Sequence, residues 1–328
     1  MLTARAVLWL TLLVAAASPH AYHVPFTSMG TQGELVAWTT DDAAVGRAWG
    51  AAQAQVERVN TLMKPWGESE LVQLNAHAGT GAVAVSSETF TVLARAQEFS
   101  AESGGLFDIT FASMGALWRF DGPVVMPTPE AIALGRSQIG FRQLVLDARS
   151  HTAALMGAST QVGLGGIAKG YAVDLAVAEL RAHGLHDFIV RLGGDLYASG
   201  SKGAQAWRIG LQDPRGNDSF AELEVRDAAF STSGDYEHFF MADGRRYHHI
   251  IDPRTGYPAT ASRAVSVLAP DALTAEGLTK ILFIGGAPGS AALARHPGSE
   301  AVIVTSDNQV WSSPGLRDRL RILHPPTP

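Results

Sequence analysis

Apolar positions recur at steps of three and four from Val45 to Met63, through Trp49, Ala52, Val56 and Val59, with Arg47, Gln53, Glu57 and Arg58 between them. That period puts one apolar stripe on an amphipathic helix. A second helix is predicted over 86–100, starting at a serine with Glu88 nearby, burying Phe90, Leu93 and Ala94, and stopped by Gly104 and Gly105. Thr128 and Pro129 begin a short third. Ala172, Leu175, Ala176 and Leu180 carry a fourth, capped by Gly184, and a long apolar helix over 272–284 has Asp271 at its N-cap and Gly285 and Gly286 after its end. Elsewhere the period shortens. Segment 28–38 reads as a turn into a strand, 143–162 as a hairpin and 186–192 as a strand. WRIGLQDP, AELEVRDAAF, RRYHHIIDP, RAVSVLAP, EAVIVTSD and QVWSS are short and β-rich. Strands in series with irregularly placed helices predict an α+β fold of largely antiparallel sheets with flanking helices. No repeat, linker or low-complexity tract divides the chain, so residues 22–328 are expected to form one domain.

The first 21 residues read differently. Arg5, an apolar run over 6–17 and then Ser18, Pro19 and Ala21 have the pattern of an export signal. If left uncut, the segment would be an anchor. The 328-residue chain is 46% apolar, enough for a large core, and contains no cysteine, so neither a disulfide nor a lipidated cysteine can hold it. A formal charge of −6 with scattered basic residues argues against nucleic-acid binding.

Candidate chemistry concentrates in four places. The first is GLGGIAKGYAVD, 163–174, where four glycines surround Lys169 at a helix start. Bared amides, a helix N-terminus and an ammonium suit phosphate, although glycines equally mark a tight turn. Gly163, Gly165 and Ala168 match a dinucleotide fingerprint, but a lone match is weak, and no Ser or Thr follows Lys169 as a P-loop requires. STSGDYEHFF, 231–240, gathers hydroxyls beside Tyr236 and Glu237. In YHHIIDPRTGYP, His248 and His249 precede Asp252, which would either orient a histidine base or only bond its own turn. Glu276 and Lys280, four apart on the last helix, suit an ion pair or a site near phosphate. Trp66, between Pro65 and Gly67, would be an edge of the core or a stacking surface.

Taken in order, MGT at 29–31, SEL and LN within 69–75, GGLFDIT at 104–110 with LW at 117–118, GGIAKGYAVD, GGD at 193–195, STSGDYE and HIIDPRTG resemble the ApbE family of FAD:protein FMN transferases. The resemblance implies a chain that binds FAD, usually with magnesium, and moves FMN through a phosphoester bond to a threonine or serine of a partner flavoprotein, releasing AMP. It also implies a periplasmic location and, as partner, an exported FMN-carrying subunit of a membrane electron-transfer complex, with association at the membrane surface. By position, Met29, Trp66, Leu106, Phe107, Asp108, Gly163, Lys169 and Ile251 would bind FAD. Gly166 and Glu276 would hold the metal, and His249, Asp252 and Lys280 would serve catalysis, with His249 as base. The alternative is a FAD-binding protein or FAD pyrophosphatase without protein transfer. Two departures weaken the metal: Gly163 stands where many members have aspartate, and Glu276 and Lys280 stand where the family usually offers Asp and Thr. The expectation is that Lys280, paired with Glu276, partly or wholly replaces magnesium; the alternative is a weakened site where Glu276, the Gly166 carbonyl, phosphate oxygens and water still hold the ion. GAST at 157–160 resembles the acceptor motif of family partners, in which a Thr or Ser follows Gly-Ala, and raises self-flavinylation within this segment.

Overall fold

The computed structural model describes residues 18–120 and 122–328; most of the expected export segment, residues 1–17, lies outside them. The strands in chain order are β1 (His20–Ser28), β2 (Thr31–Thr39), β3 (Ala82–Ala84), β4 (Leu144–Asp147), β5 (Thr152–Leu155), β6 (Phe188–Leu192), β7 (Asp195–Ser199) and β8 (Trp207–Gln212). They continue with β9 (Ser219–Val225), β10 (Ala228–Gly234), β11 (Phe239–Ala242), β12 (Arg245–His248), β13 (Ser262–Ala269), β14 (Glu300–Thr305), β15 (Val310–Ser312) and β16 (Leu320–Ile322). Six α-helices are described: α1 (Asp42–Met63), α2 (Glu70–Ala76), α3 (Ser87–Glu102), α4 (Pro129–Arg136), α5 (Ala168–Ala182) and α6 (Ala272–Gly285).

Eight strands form the central sheet in the order β1-β2-β6-β7-β10-β13-β14-β15, and its described pairings are all antiparallel. Both faces are buried, and the alternation along single strands shows how. In β13, Val265 and Val267 enter the core beneath the helices, while Ala264 and Leu268 enter a second core against the small sheet β16-β9-β8. In β14, Ala301 and Ile303 face one way and Val302 and Val304 the other. Helices α1, α5 and α6 cover the first face. None of the described helices is long and apolar enough to cross a membrane.

The predicted antiparallel α+β plan is the observed one, and most helices fall where their periodicity placed them. Three details differ. The segment after Trp66 contains α2, capped by the Ser69 side chain on Val72 N, where no element is predicted. A strand precedes the 28–38 segment, with His20 and Ala21 already paired to Thr39 and Trp38. AELEVRDAAF is two strands in different sheets, and the chain turns between them at Asp227 with φ 48.

Helices α5 and α6 approach unusually closely. A Cβ on Gly170 would lie 2.4 Å from the Ala272 carbonyl oxygen, so only glycine lets the two backbones meet there. Asp174, one turn on, accepts from the Ala272 and Leu273 amides at 2.7 and 2.9 Å and so satisfies the exposed donors that begin α6. Gly170→Ala is expected to destabilise the protein by about 1–3 kcal/mol through overpacking. Gly46→Ala, on an exposed α1 position with nothing within 4 Å, should be neutral or stabilising by up to about 1 kcal/mol; denaturant melts compare the two.

Candidate active site

A cavity of about 1260 Å³ opens where the β1–β2 turn, the start of α5, the end of β10 and the cavity-facing side of α6 converge. Its rim begins with a two-residue hairpin turn. Ser28 pairs with Thr31, and Met29 and Gly30 both take positive φ, 50 and 73. That geometry matches the twist of the flanking strands and puts Met29 on the cavity wall. Leu106, Phe107 and Asp108 follow on the wall, then Gly163 to Gly166, Lys169, Ser233, His249, Ile251 and Lys280.

The floor is built on charge. Lys169, in the first turn of α5, lies 2.9 Å from Asp195 Oδ2 and donates to Glu276 Oε1. Burial alone would lower the Lys169 pKa, but the charges of Asp195 and then Glu276 outweigh it and hold the ammonium above its ordinary value. Glu276 is fully buried, and its second oxygen accepts from the Gly170 amide at 2.8 Å. Ser231 Oγ donates to the other oxygen of Asp195 at 2.5 Å. Three elements distant in sequence, α5, β7 and α6, are thus tied at one ammonium.

Lys280 differs from Lys169 in having no carboxylate within ion-pair distance among the described residues. Its ammonium donates to Ser233 Oγ at 2.8 Å and to Thr279 Oγ1 at 3.3 Å, while Ser233 itself donates to Thr279 at 2.9 Å. Burial pushes its pKa down. His249 also lines the cavity, edge-on to His238 with ring centroids 5.3 Å apart. Burial, then the charge of Lys280, pushes the His249 pKa down to about 3, so the imidazole is neutral. Its Nδ1 is buried and meets no hydrogen-bond partner among the described residues.

Most of the expected site residues gather here, with corrections. Trp66 is not an edge of the core: it is 56% exposed at the mouth, where its face is open. Asp252 does not orient His249. Its carboxylate accepts from the Arg254 backbone and guanidinium at 2.7–3.0 Å, because a DPRTG turn places those donors closest. Asp108 lines the cavity, but its oxygens accept from Thr110 and from the Phe141 amide, which makes it a cap and a brace. Glu276 pairs with Lys169 and not with Lys280. In GAST, Thr160 is buried with its hydroxyl on the Gln138 carbonyl, whereas Ser159 is exposed, and neither lines the cavity. His248 is also buried, bonded to the Ala259 carbonyl at 2.8 Å, so His249 alone of the pair faces the cavity.

The residues present do not fit a divalent ion. Magnesium needs about six oxygen ligands at close range. Of the expected protein donors, Glu276 has both oxygens engaged, and Gly163 has no side chain. The side chain of Lys280 lies against Gly166, with Cε 3.5 Å from where a Cβ would stand, beside the expected carbonyl ligand. Asp213, Asp218 and His324 bring ligand atoms within 4.8 Å of one another but do not line the cavity. Both Asp213 oxygens already accept from Arg215, Gly216 and Thr327.

The ApbE family profile matches residues 29–303, through every part of this cavity named above. The chain belongs to the ApbE family. It is 40% identical over 276 residues to the FAD:protein FMN transferase of Treponema pallidum, covering 78% of this chain and 76% of the relative. The corresponding transferase of Vibrio cholerae is 32% identical over 263 residues, 77% of this chain and 78% of that one. Among solved structures, the ApbE protein of Thermotoga maritima superposes with TM-score 0.83 at 29% identity, covering 92% of this chain and 99% of that one. The flavin transferase ApbE of Vibrio cholerae superposes with TM-score 0.81 at 28% identity and the same coverage.

Within this ApbE fold, sequence reasoning missed Asp195, Ser233 and Thr279. Asp195 stood in the quoted GGD and Ser233 in STSGDYE, but a partner for a lysine on another helix leaves no local spacing to detect. Glu276→Ala should destabilise the protein by about 3–5 kcal/mol, because it leaves Lys169 with Asp195 alone and the buried Gly170 amide without its acceptor; a melt against the parent measures this. The pH dependence of stability carries a second expectation. The folded-state pKa of His249, about 3, lies below its ordinary 6.5, so the unfolded chain takes up the proton first. Stability from this group is complete above pH 6.5 and is lost as pH falls toward 3, by about 2 kcal/mol at pH 5. Melts at pH 7.5 and 5 should therefore fall less for His249→Gln than for the parent.

Proposed function

We propose that this ApbE protein is a FAD:protein FMN transferase acting outside the cytoplasm. The observation that carries the reading is an ammonium without a carboxylate partner, Lys280, beside a neutral imidazole, His249, in one cavity. Such a cation calls for an anionic ligand, and the diphosphate of FAD supplies one. The family match and the relatives named as FAD:protein FMN transferases support the choice of flavin. Trp66, exposed at the mouth, offers a face for a planar ring, and the wall from Met29 to Phe107 is largely apolar.

In the proposed reaction a serine or threonine hydroxyl of a partner protein attacks the phosphorus of the FMN half. An O–P bond forms to that hydroxyl oxygen, the bond from this phosphorus to the bridging oxygen breaks, and AMP departs with that oxygen. The hydroxyl proton passes to His249, which is neutral and has a free ring nitrogen. Little covalent work falls to the protein, because phosphoryl transfer depends on alignment and on neutralising charge. Lys169, fixed by Asp195 and Glu276, keeps the start of α5 in place, while Lys280 offers its charge to the phosphates. The export-signal pattern at the N-terminus supports an extracytoplasmic partner, an FMN-carrying subunit of a membrane electron-transfer complex.

Mixing the chain with FAD and an acceptor domain should give a mass gain of one FMN on the acceptor and free AMP. Free FMN without an adduct would identify a pyrophosphatase instead. His249→Ala should slow adduct formation by about 100-fold or more with FAD affinity nearly unchanged; transfer at the parent rate would exclude the base role.

A further inference from the structure

The resemblance implies a metal-assisted site, and the residues present depart from one in a consistent direction. Gly163 offers no carboxylate and position 280 carries an ammonium, so the protein itself supplies more positive charge than the site the resemblance implies. Among the described residues, Lys169 is the one cation within ion-pair distance of the two buried acids, Asp195 and Glu276. Glu276 cannot turn toward the cavity without giving up both Lys169 and the Gly170 amide.

Lys280 is held as a ligand-facing group would be. Its stem lies in van der Waals contact with Gly166, with Cε and Cγ 3.5 and 3.6 Å from where a Cβ would stand, and its ammonium rests on the hydroxyls of Ser233 and Thr279. An ammonium has three donors, and hydroxyls take two of them. Ser233 and Thr279 orient the group without neutralising it, because a hydroxyl carries no net charge. The third donor is left for an oxygen arriving in the cavity, which Lys280 lines. A hydroxyl pair in place of a carboxylate is what separates a cation kept for an anionic ligand from one spent on the fold.

We propose that Lys280 is the resident cation of this site, contacting the FAD diphosphate where the resemblance implies magnesium, so that the chain binds and uses FAD without a divalent ion. The proposal rests on the transferase reading for the identity of the ligand. The lysine supplies one fixed positive charge and a hydrogen bond to a phosphate oxygen. It is preorganised by Ser233 and Thr279 and needs no ion captured from solution.

The test uses the full chain, Lys280→Gln, which keeps length and removes charge, and Lys280→Thr, which restores a hydroxyl ligand and opens space. Calorimetry reads FAD affinity and mass spectrometry reads the acceptor adduct, each in excess EDTA and in excess magnesium, with melts to confirm that both variants fold. The parent is expected to bind FAD and form adduct equally in EDTA and in magnesium. Lys280→Gln should bind FAD about tenfold or more weakly in EDTA. Lys280→Thr should be slow in EDTA and regain rate with magnesium. Parent activity abolished by EDTA and restored by magnesium would overturn the proposal while leaving the transferase reading intact. So would Lys280→Gln binding FAD as tightly as the parent in EDTA. Should no adduct form under any condition, the transferase reading fails on its own, and the FAD affinities in EDTA still decide the role of Lys280.

Discussion

Two carboxylates closing on one ammonium hold this molecule's working end together. Lys169 is the only described cation that bridges β7 and α6, through Asp195 and Glu276, and it does so from the first turn of α5. Burying three charges is costly unless each is matched and hydrogen-bonded, and here the geometry meets that demand. Glu276 spends its second oxygen on the Gly170 amide, and Asp195 takes the Ser231 hydroxyl. The arrangement depends on Gly170, because a side chain there would push α6 away and separate the acid from its lysine.

Around this clamp the cavity divides its polar groups by whether they are already satisfied. Asp108, Asp252, Glu276 and His248 look reactive in the sequence, yet each is committed to neighbouring protein atoms. Lys280 and His249 are partly buried without being so committed, one with no opposite charge at ion-pair distance among the described residues and the other with a ring nitrogen unpaired. Desolvation explains why this matters. In a low-dielectric wall an unmet donor or acceptor strengthens any ligand that completes it, whereas a satisfied one contributes only shape.

The fold was largely legible because its helices carry clean periods and conventional caps. Where reading failed, a specific competitor won. Helix α2 is seven residues long and sits behind a Pro-Trp-Gly turn, so its capping serine was the one clue. Strand β1 contains Pro25, which argues against a strand in general but is tolerated at the edge of the sheet, where β1 lies. The site residues were legible as ordered motifs, but their pairings were not. The i,i+4 spacing of Glu276 and Lys280 favours a local pair, and it lost to α5, whose lysine and amide approach Glu276 from a position 107 residues earlier in the chain.

That separation bears on synthesis. A nascent chain that has emerged only through α5 has made Lys169 but has neither Asp195 nor Glu276 to balance it, and Lys280 follows later still. No fragment ending before α6 can carry a finished pocket, so flavin capture must wait until nearly the whole polypeptide is made. A chain interrupted before residue 276 would lose its anchoring counter-ion and its ligand-facing cation together.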